Sequence, residues 1–161
     1  MITADESDAV ERIHLHHAVL LQQYELLQAN MIEAADHSGA GIARDILVDW
    51  CQMVLLPHGE VEEAALRAAV GDEPRPLAEV IRAEHERIAE LVRELSEAED
   101  GAHRKAAARV LGSVVAAHLH KESDELIPAL IKASRLSHTD LVDGIDKIVR
   151  TAGMPTEPKE S

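Results

Sequence analysis

His58 and Glu62 stand four residues apart, and so do His118 and Glu122. On a helix this spacing puts two side chains on one face, with Cβ atoms about 5–6 Å apart. An imidazole nitrogen and a carboxylate oxygen can then converge on one point. His17 and His85 stand singly, each on its own predicted helix. Imidazole with carboxylate suits iron, zinc or manganese. Four imidazoles and two carboxylates on four helices have the make-up of the inner shell of a two-metal site.

A single histidine on an apolar helix face is more often a hydrogen-bonded core residue than a ligand. Four of them, one per helix, together with two carboxylates, are harder to explain that way. An unpaired buried carboxylate costs several kcal/mol, and buried charges are either paired or bound to metal. A purely structural polar core would have to satisfy all six groups through internal His–Glu pairs.

The helices that must position these residues can be read from apolar periodicity. The first is predicted from about Asp8 to Asp36. Asp8 and Glu11 suit a capping-box start, and Val10, Ile13, His17, Leu20, Tyr24 and Leu27 form one stripe. The second covers roughly Ile42 to Val70, with Leu47, Cys51, Val54 and His58 inward. The third spans about Leu77 to Ala98 through Ile81, His85, Ile88, Val92 and Leu95. The fourth runs from near His103 to Ser134 through Leu111, Val115, His118, Glu122 and Leu126. Short loops between long helices make antiparallel neighbours. The expected fold is all-α, an up-down-up-down four-helix bundle.

An additional short C-terminal helix is expected. Ser137 and Asp140 would cap it, and Leu141, Val142, Ile145, Ile148 and Val149 would form its apolar face. Residues 1–150 then make one domain, and 151–161 a frayed, disordered tail. Pro57 and Gly59 flank His58 within the second helix. Proline lacks an N–H and clashes with the carbonyl four residues back. The segment therefore predicts a break or bulge at the candidate ligand, or two helices joined there. Pro128 predicts a similar kink beyond Glu122.

The bulk properties exclude several classes. The chain has 161 residues, 46% hydrophobic and 29% charged, which suits one soluble globular domain. The formal net charge of −14 argues against nucleic acid or an anionic membrane surface as partner. No apolar run is long enough to span a bilayer, and the acidic N-terminus lacks a signal peptide's apolar stretch. A cytoplasmic protein is expected. Cys51 is the single cysteine, so an internal disulfide and a cysteine-based zinc site are excluded. Phenylalanine is absent and Tyr24 and Trp50 are the only aromatics. An aliphatic core of this kind fits a helical bundle better than a β-sandwich.

A ferritin-like di-iron site needs two Glu-x-x-His pairs and two further glutamates. Glu11 and His14 form the only such pair here, so that reading fails. The order His17, His58-Gly59-Glu60-Val61-Glu62-Glu63, Glu84-His85-Glu86 and His118-Leu119-His120-Lys121-Glu122, running into Leu126-Ile127-Pro128, resembles the hemerythrin-like family of HHE cation-binding domains. The resemblance covers about residues 8 to 134. It implies a non-haem pair of iron ions with an oxo or hydroxo bridge, spanned by Glu62 and Glu122. It also implies reaction with O2, peroxide or nitric oxide. Zinc or manganese is the alternative metal.

One departure affects the chemistry. The oxygen-carrying members have a fifth histidine one turn from the third-helix ligand, but here those positions are Ile81 and Ala89. His14, one turn before His17, is the candidate replacement. Without it, more coordination positions stay open, and open positions favour reactivity over reversible carriage. The leading reading is thus a non-haem di-iron protein that reacts with O2, peroxide or nitric oxide, with a peroxide-removing oxidoreductase as its candidate enzymatic form. The alternatives are an oxygen or iron sensor, a metal store, or a zinc-type site without redox chemistry. A homo-oligomer is compatible with each.

The remaining candidates are expected to be peripheral. His16 and His120 lie about 100–160° off the ligand stripe by helical geometry and should face solvent. Glu63, Asp124 and Glu125 are either outer acceptors for imidazole N–H groups or a solvated face. Tyr24 either covers the site or packs in the core. Trp50 and Cys51 read as packing, and His37, His103 and His138 as helix-end residues.

Overall fold

The computed structural model describes residues 4–70, 76–133, 140, 143, 144, 146, 147 and 150. Its helices are α1 (Ala4–Ala34), α2 (Ala40–Trp50), α3 (Leu56–Val70), α4 (Pro76–Glu97), α5 (Gly101–Lys121) and α6 (Ile127–Ala133). Two of the junctions are not loops. Cys51–Leu55 joins α2 to α3 as a π-helical turn, and Glu122–Leu126 joins α5 to α6 in the same way. The chain thus forms four rods, α1, α2–α3, α4 and α5–α6. α1 and α4 each lie between the two π-containing rods, which also touch each other where α3 meets α6. The all-α four-helix bundle expected from periodicity is the observed fold. Among the described residues, no helix is long and apolar enough to cross a membrane.

The π turns explain how prolines sit inside continuous rods. The Leu56 N–H bonds to the Cys51 carbonyl, and the Ile127 N–H to the Glu122 carbonyl, each five residues back. Pro57 and Pro128 follow immediately. The wider turn relaxes the ring's clash with the carbonyl four residues back without ending the helix. The second rod is therefore one bulged helix, not two helices joined by a loop. The bulge also turns successive residues inward. Glu122 and Ser123 are both buried, as are His58 and Gly59 one turn beyond the other bulge.

Two boundaries differ from expectation. α1 begins by Ala4, so Asp8 and Glu11 lie inside the helix and do not form its capping box. Burial of Ala9 and Ile13 against Leu66 and Ile81 extends the helix upstream. The cap on the fourth rod is Asp100, whose carboxylate accepts from the His103 N–H at 2.8 Å. Gly101 lets this start approach the end of α1, since a Cβ there would lie 2.8 Å from the Ala35 carbonyl oxygen.

The interior has three layers. Leu20, Tyr24, Met31, Leu47, Cys51, Leu91, Leu95, Leu111 and Val115 belong to a large aliphatic cluster beside the α1–α2 and α4–α5 turns. Ala9, Ile13, Leu66, Ile81, Leu126 and Ile127 form a smaller one at the opposite end. A polar layer lies between them. Tyr24 belongs to the large cluster, where its hydroxyl donates to the Ala108 carbonyl at 3.0 Å and its ring meets Trp50 edge-on. It therefore packs the core and does not cover the polar layer. The described C-terminal residues 140, 143, 144, 146, 147 and 150 are helical, and Asp146 pairs with Arg12 of α1 at 2.8 Å. Ser137, the predicted apolar face at 141, 142, 145, 148 and 149, His138, and the predicted tail at 151–161 lie outside the described residues.

Candidate metal centre

Each of the four rods contributes an imidazole to the polar layer. His17 comes from α1, His58 from the first turn of α3, His85 from α4 and His118 from the end of α5. Glu62 sits one turn after His58. Glu122 is the first residue of the second π turn, one turn after His118. Glu62 and Glu122 are both fully buried.

The imidazole Nε2 atoms face these two carboxylates. His118 Nε2 lies 2.7 Å from Glu122, His85 Nε2 3.2 Å from Glu122 and 3.8 Å from Glu62. His17 Nε2 is 3.3 Å from Glu62 and 3.7 Å from Glu122, and His58 Nε2 is 3.6 Å from Glu62. The atoms fall into two sets. His17, His58, Glu62 and Glu122 offer donors all within 4.8 Å of one another, and so do Glu62, His85, His118 and Glu122. Both carboxylates belong to both sets.

Five of these buried atoms have no hydrogen-bond partner: His17 Nε2, His58 Nε2, both oxygens of Glu62 and Oε2 of Glu122. Orphaned buried acceptors cost about 1–3 kcal/mol each, and more when charged. Five of them facing one small volume fit a cation, because coordination satisfies them together. The donor set of imidazole nitrogen and carboxylate oxygen suits iron, zinc or manganese.

Without a cation the layer is electrostatically frustrated. Burial, with the Glu122 charge beside it, raises the Glu62 carboxyl above the usual range. Burial acts the same way on Glu122, but hydrogen bonds from His118 and His85 outweigh it and hold that carboxyl low. Burial pulls His85 down, yet Glu122 and Glu63 together lift it to about 9. Burial wins at His58, which falls to about 4.

The outward nitrogens are also held. His17 Nδ1 meets the Ser123 hydroxyl at 2.9 Å, and His58 Nδ1 meets His16 Nε2 at 3.2 Å. His85 Nδ1 meets Glu63 at 2.7 Å, and His118 Nδ1 meets Glu84 at 2.8 Å. Such partners fix ring orientation and tautomer in metal sites. All four Nε2 atoms are thereby aimed inward. Gly59 supports the arrangement, because a Cβ there would sit 3.2 Å from the His85 ring.

The family model of the hemerythrin HHE cation-binding domain matches residues 8–130. The chain belongs to the hemerythrin HHE family. No curated protein and no solved structure matches it. The family supplies cation binding, and the two His/Glu sets of this hemerythrin-like domain are where a cation can be held.

Some residues fall elsewhere than the sequence suggests. His14 is solvent-exposed, on the rim of a groove between α1 and the second π turn, and belongs to neither set. His16, expected in solvent, is buried behind His58. α1 lies between the two π-containing rods, so its covered arc is wider than one stripe. Glu63 does accept from a candidate ligand, whereas Asp124, Glu125 and His120 are exposed. The sequence singles out neither Glu84 nor Ser123. Glu84 precedes His85 but serves His118 on another rod, a pairing no spacing within one helix reveals. Ser123 turns inward only because of the π turn.

Proposed function

We propose that this hemerythrin-family chain is a non-haem di-iron protein that reacts with O2, peroxide or nitric oxide, and that its leading activity is peroxide removal. The observation that supports this most is the sharing of Glu62 and Glu122 by two donor sets, with five of the facing atoms otherwise orphaned. His17 and His58 would complete one position, and His85 and His118 the other. Two iron ions held there would supply redox equivalents and open positions for a small oxygen or nitrogen ligand.

The chain's own residues prepare the site in three ways. Ser123, His16, Glu63 and Glu84 hold the four rings with Nε2 inward. Leu55, Leu56, Ile88 and Leu119 wall a cavity of about 20 Å³ whose other lining is His58, Gly59, His85 and His118. That volume admits about one water-sized molecule beside the His58, His85 and His118 rings, which leaves room for a small ligand there. Ile81 and Ala89 offer no ligand beside His85, and His14 points to solvent. The site therefore keeps fewer protein ligands than an oxygen carrier of the family, which favours turnover over reversible storage.

The test is anaerobic iron loading, elemental analysis and a peroxide-consumption assay. Two irons per chain with catalytic peroxide loss are expected. Two irons with reversible O2 binding and no turnover would make it a carrier or sensor. Retention of zinc with rejection of iron would make it a non-redox site.

A further inference from the structure

The two donor sets share their carboxylates but differ in what stands behind their imidazoles. Behind His85 and His118 are two carboxylates, Glu63 at 2.7 Å and Glu84 at 2.8 Å. Behind His17 and His58 are two neutral groups, Ser123 at 2.9 Å and His16 at 3.2 Å. We propose that the two metal positions are unequal and fill in order, the His85/His118 position first and the His17/His58 position second, with Glu63, Glu84 and His16 setting the order. This rests on the two-metal reading above.

Two physical differences point the same way. A carboxylate accepting from Nδ1–H makes the imidazole a stronger donor at Nε2, while a hydroxyl or a second imidazole does so less. Glu63 and Glu84 also add negative charge on one side. Lys121 pairs with Glu84 and offsets part of it, and both glutamates are about a quarter exposed, at 27% and 24%. Solvent therefore weakens the charge effect without reversing it.

The second difference is a proton with nowhere to go. To offer Nε2 to a cation, neutral His58 must keep its proton on Nδ1 and donate it to His16 Nε2. Neutral His16 must then carry its own proton on Nδ1, an atom that is buried and has no partner. An unsatisfied buried donor is costly. The opposite tautomers relieve His16 but put a proton on His58 Nε2, where the cation would bind. His85 and His118 face no such conflict, because their Nδ1 protons end on carboxylates. The His17/His58 position is thus weakened by the histidine pair that orients it.

The experiment is a Co(II) titration of the metal-free full-length chain, followed by visible absorption and calorimetry. Two steps are expected in the unaltered protein, with dissociation constants at least about tenfold apart, the low end of the usual effect of outer partners. His58→Ala should remove the weaker step and keep the tighter one. Glu63→Gln with Glu84→Gln should weaken the first step by about 10–100-fold and leave the second nearly unchanged, which erases the order. Two indistinguishable steps in the unaltered protein would overturn the proposal, and that result depends on no variant folding. So would equal weakening of both steps by the double variant. Fewer than two bound Co(II) ions at saturation would overturn the two-metal reading along with it.

Discussion

On one side of the polar layer, Leu20, Tyr24, Met31, Leu47, Leu55, Leu91, Leu95, Leu111 and Val115 interlock from all four rods, close to two short interhelical turns. On the other side, the described buried set is Ala9, Ile13, Leu66, Ile81, Leu126 and Ile127. The first region buries large side chains and closes with the Asp100 cap and the Arg44 guanidinium donating to the Ala98 carbonyl. The second has fewer large side chains among the described residues, and its rods α3 and α6 reach it only through the ligand-bearing turns. The difference suggests a division of labour. The large cluster is expected to stabilise the fold without help, and the smaller end to lean on the layer of His and Glu next to it. With a cation the layer ties four rods together. Without one it leaves His17 Nε2, His58 Nε2, both Glu62 oxygens and Glu122 Oε2 buried with no hydrogen-bond partner.

The sharpest way to break this contrast is to cut the tie. Glu122→Gln keeps the shape of a residue common to both donor sets but removes its charge. It should abolish stoichiometric binding at both positions, as measured by elemental analysis after metal loading. Retention of one full equivalent would show that Glu122 serves one position only.

Next in size, a cavity in the large cluster should cost the same whether metal is present or absent. Leu111→Ala should destabilise by about 3 kcal/mol, or roughly 6–12 °C in melting temperature for a chain of this length. A loss in the metal-free protein less than half of that in the loaded protein would mean that this end, too, depends on the cations.

Metal removal should act in the opposite place. A ligand bound only by the native state stabilises it by mass action, so the metal-free chain should melt lower. Its amide exchange should speed up around Ile13, Leu66, Ile81 and Leu126, and much less around Leu91, Leu95 and Leu111. Exchange mass spectrometry resolves the two regions. Uniform acceleration at both ends would erase the distinction.

A smaller effect is expected at Gly59. Its added Cβ would press on the His85 ring at 3.2 Å, so the ring must shift by a few tenths of an ångström. Gly59→Ala should weaken metal binding several-fold with little change in helix content. Unchanged affinity would show that the ring moves freely.

The smallest effect concerns Cys51, inside the large cluster. Burial pushes its thiol up from 9.0 to about 12, so near pH 8 it is almost wholly protonated. Alkylation should be about a thousandfold slower than in the unfolded chain and should not speed up when metal is removed. The sign of the pH dependence follows from the unfolded chain ionising first. The buried thiol's contribution to stability is complete below about pH 9 and fades as pH rises toward 12. Faster alkylation of the metal-free form would show that the large end opens as well.

The sequence by itself determined what repeats along one helix. The 3.6-residue period places Leu111, Val115, His118 and Glu122 on one face, and it sets His58 above Glu62 in the same way. Pro57 and Pro128 announce the two local departures from that period, because a missing N–H and a ring clash act within a single turn. Tertiary structure decided what lies between helices. Glu84 reaches His118, Ser123 reaches His17 and His16 reaches His58 across rod boundaries. Which residues meet there depends on how each rod is rotated and shifted against its neighbours, and no spacing within one helix encodes that. His16 shows the reason most directly. A helical wheel gives its angle from His17, but whether that angle faces water or another rod depends on where the neighbouring rod lies.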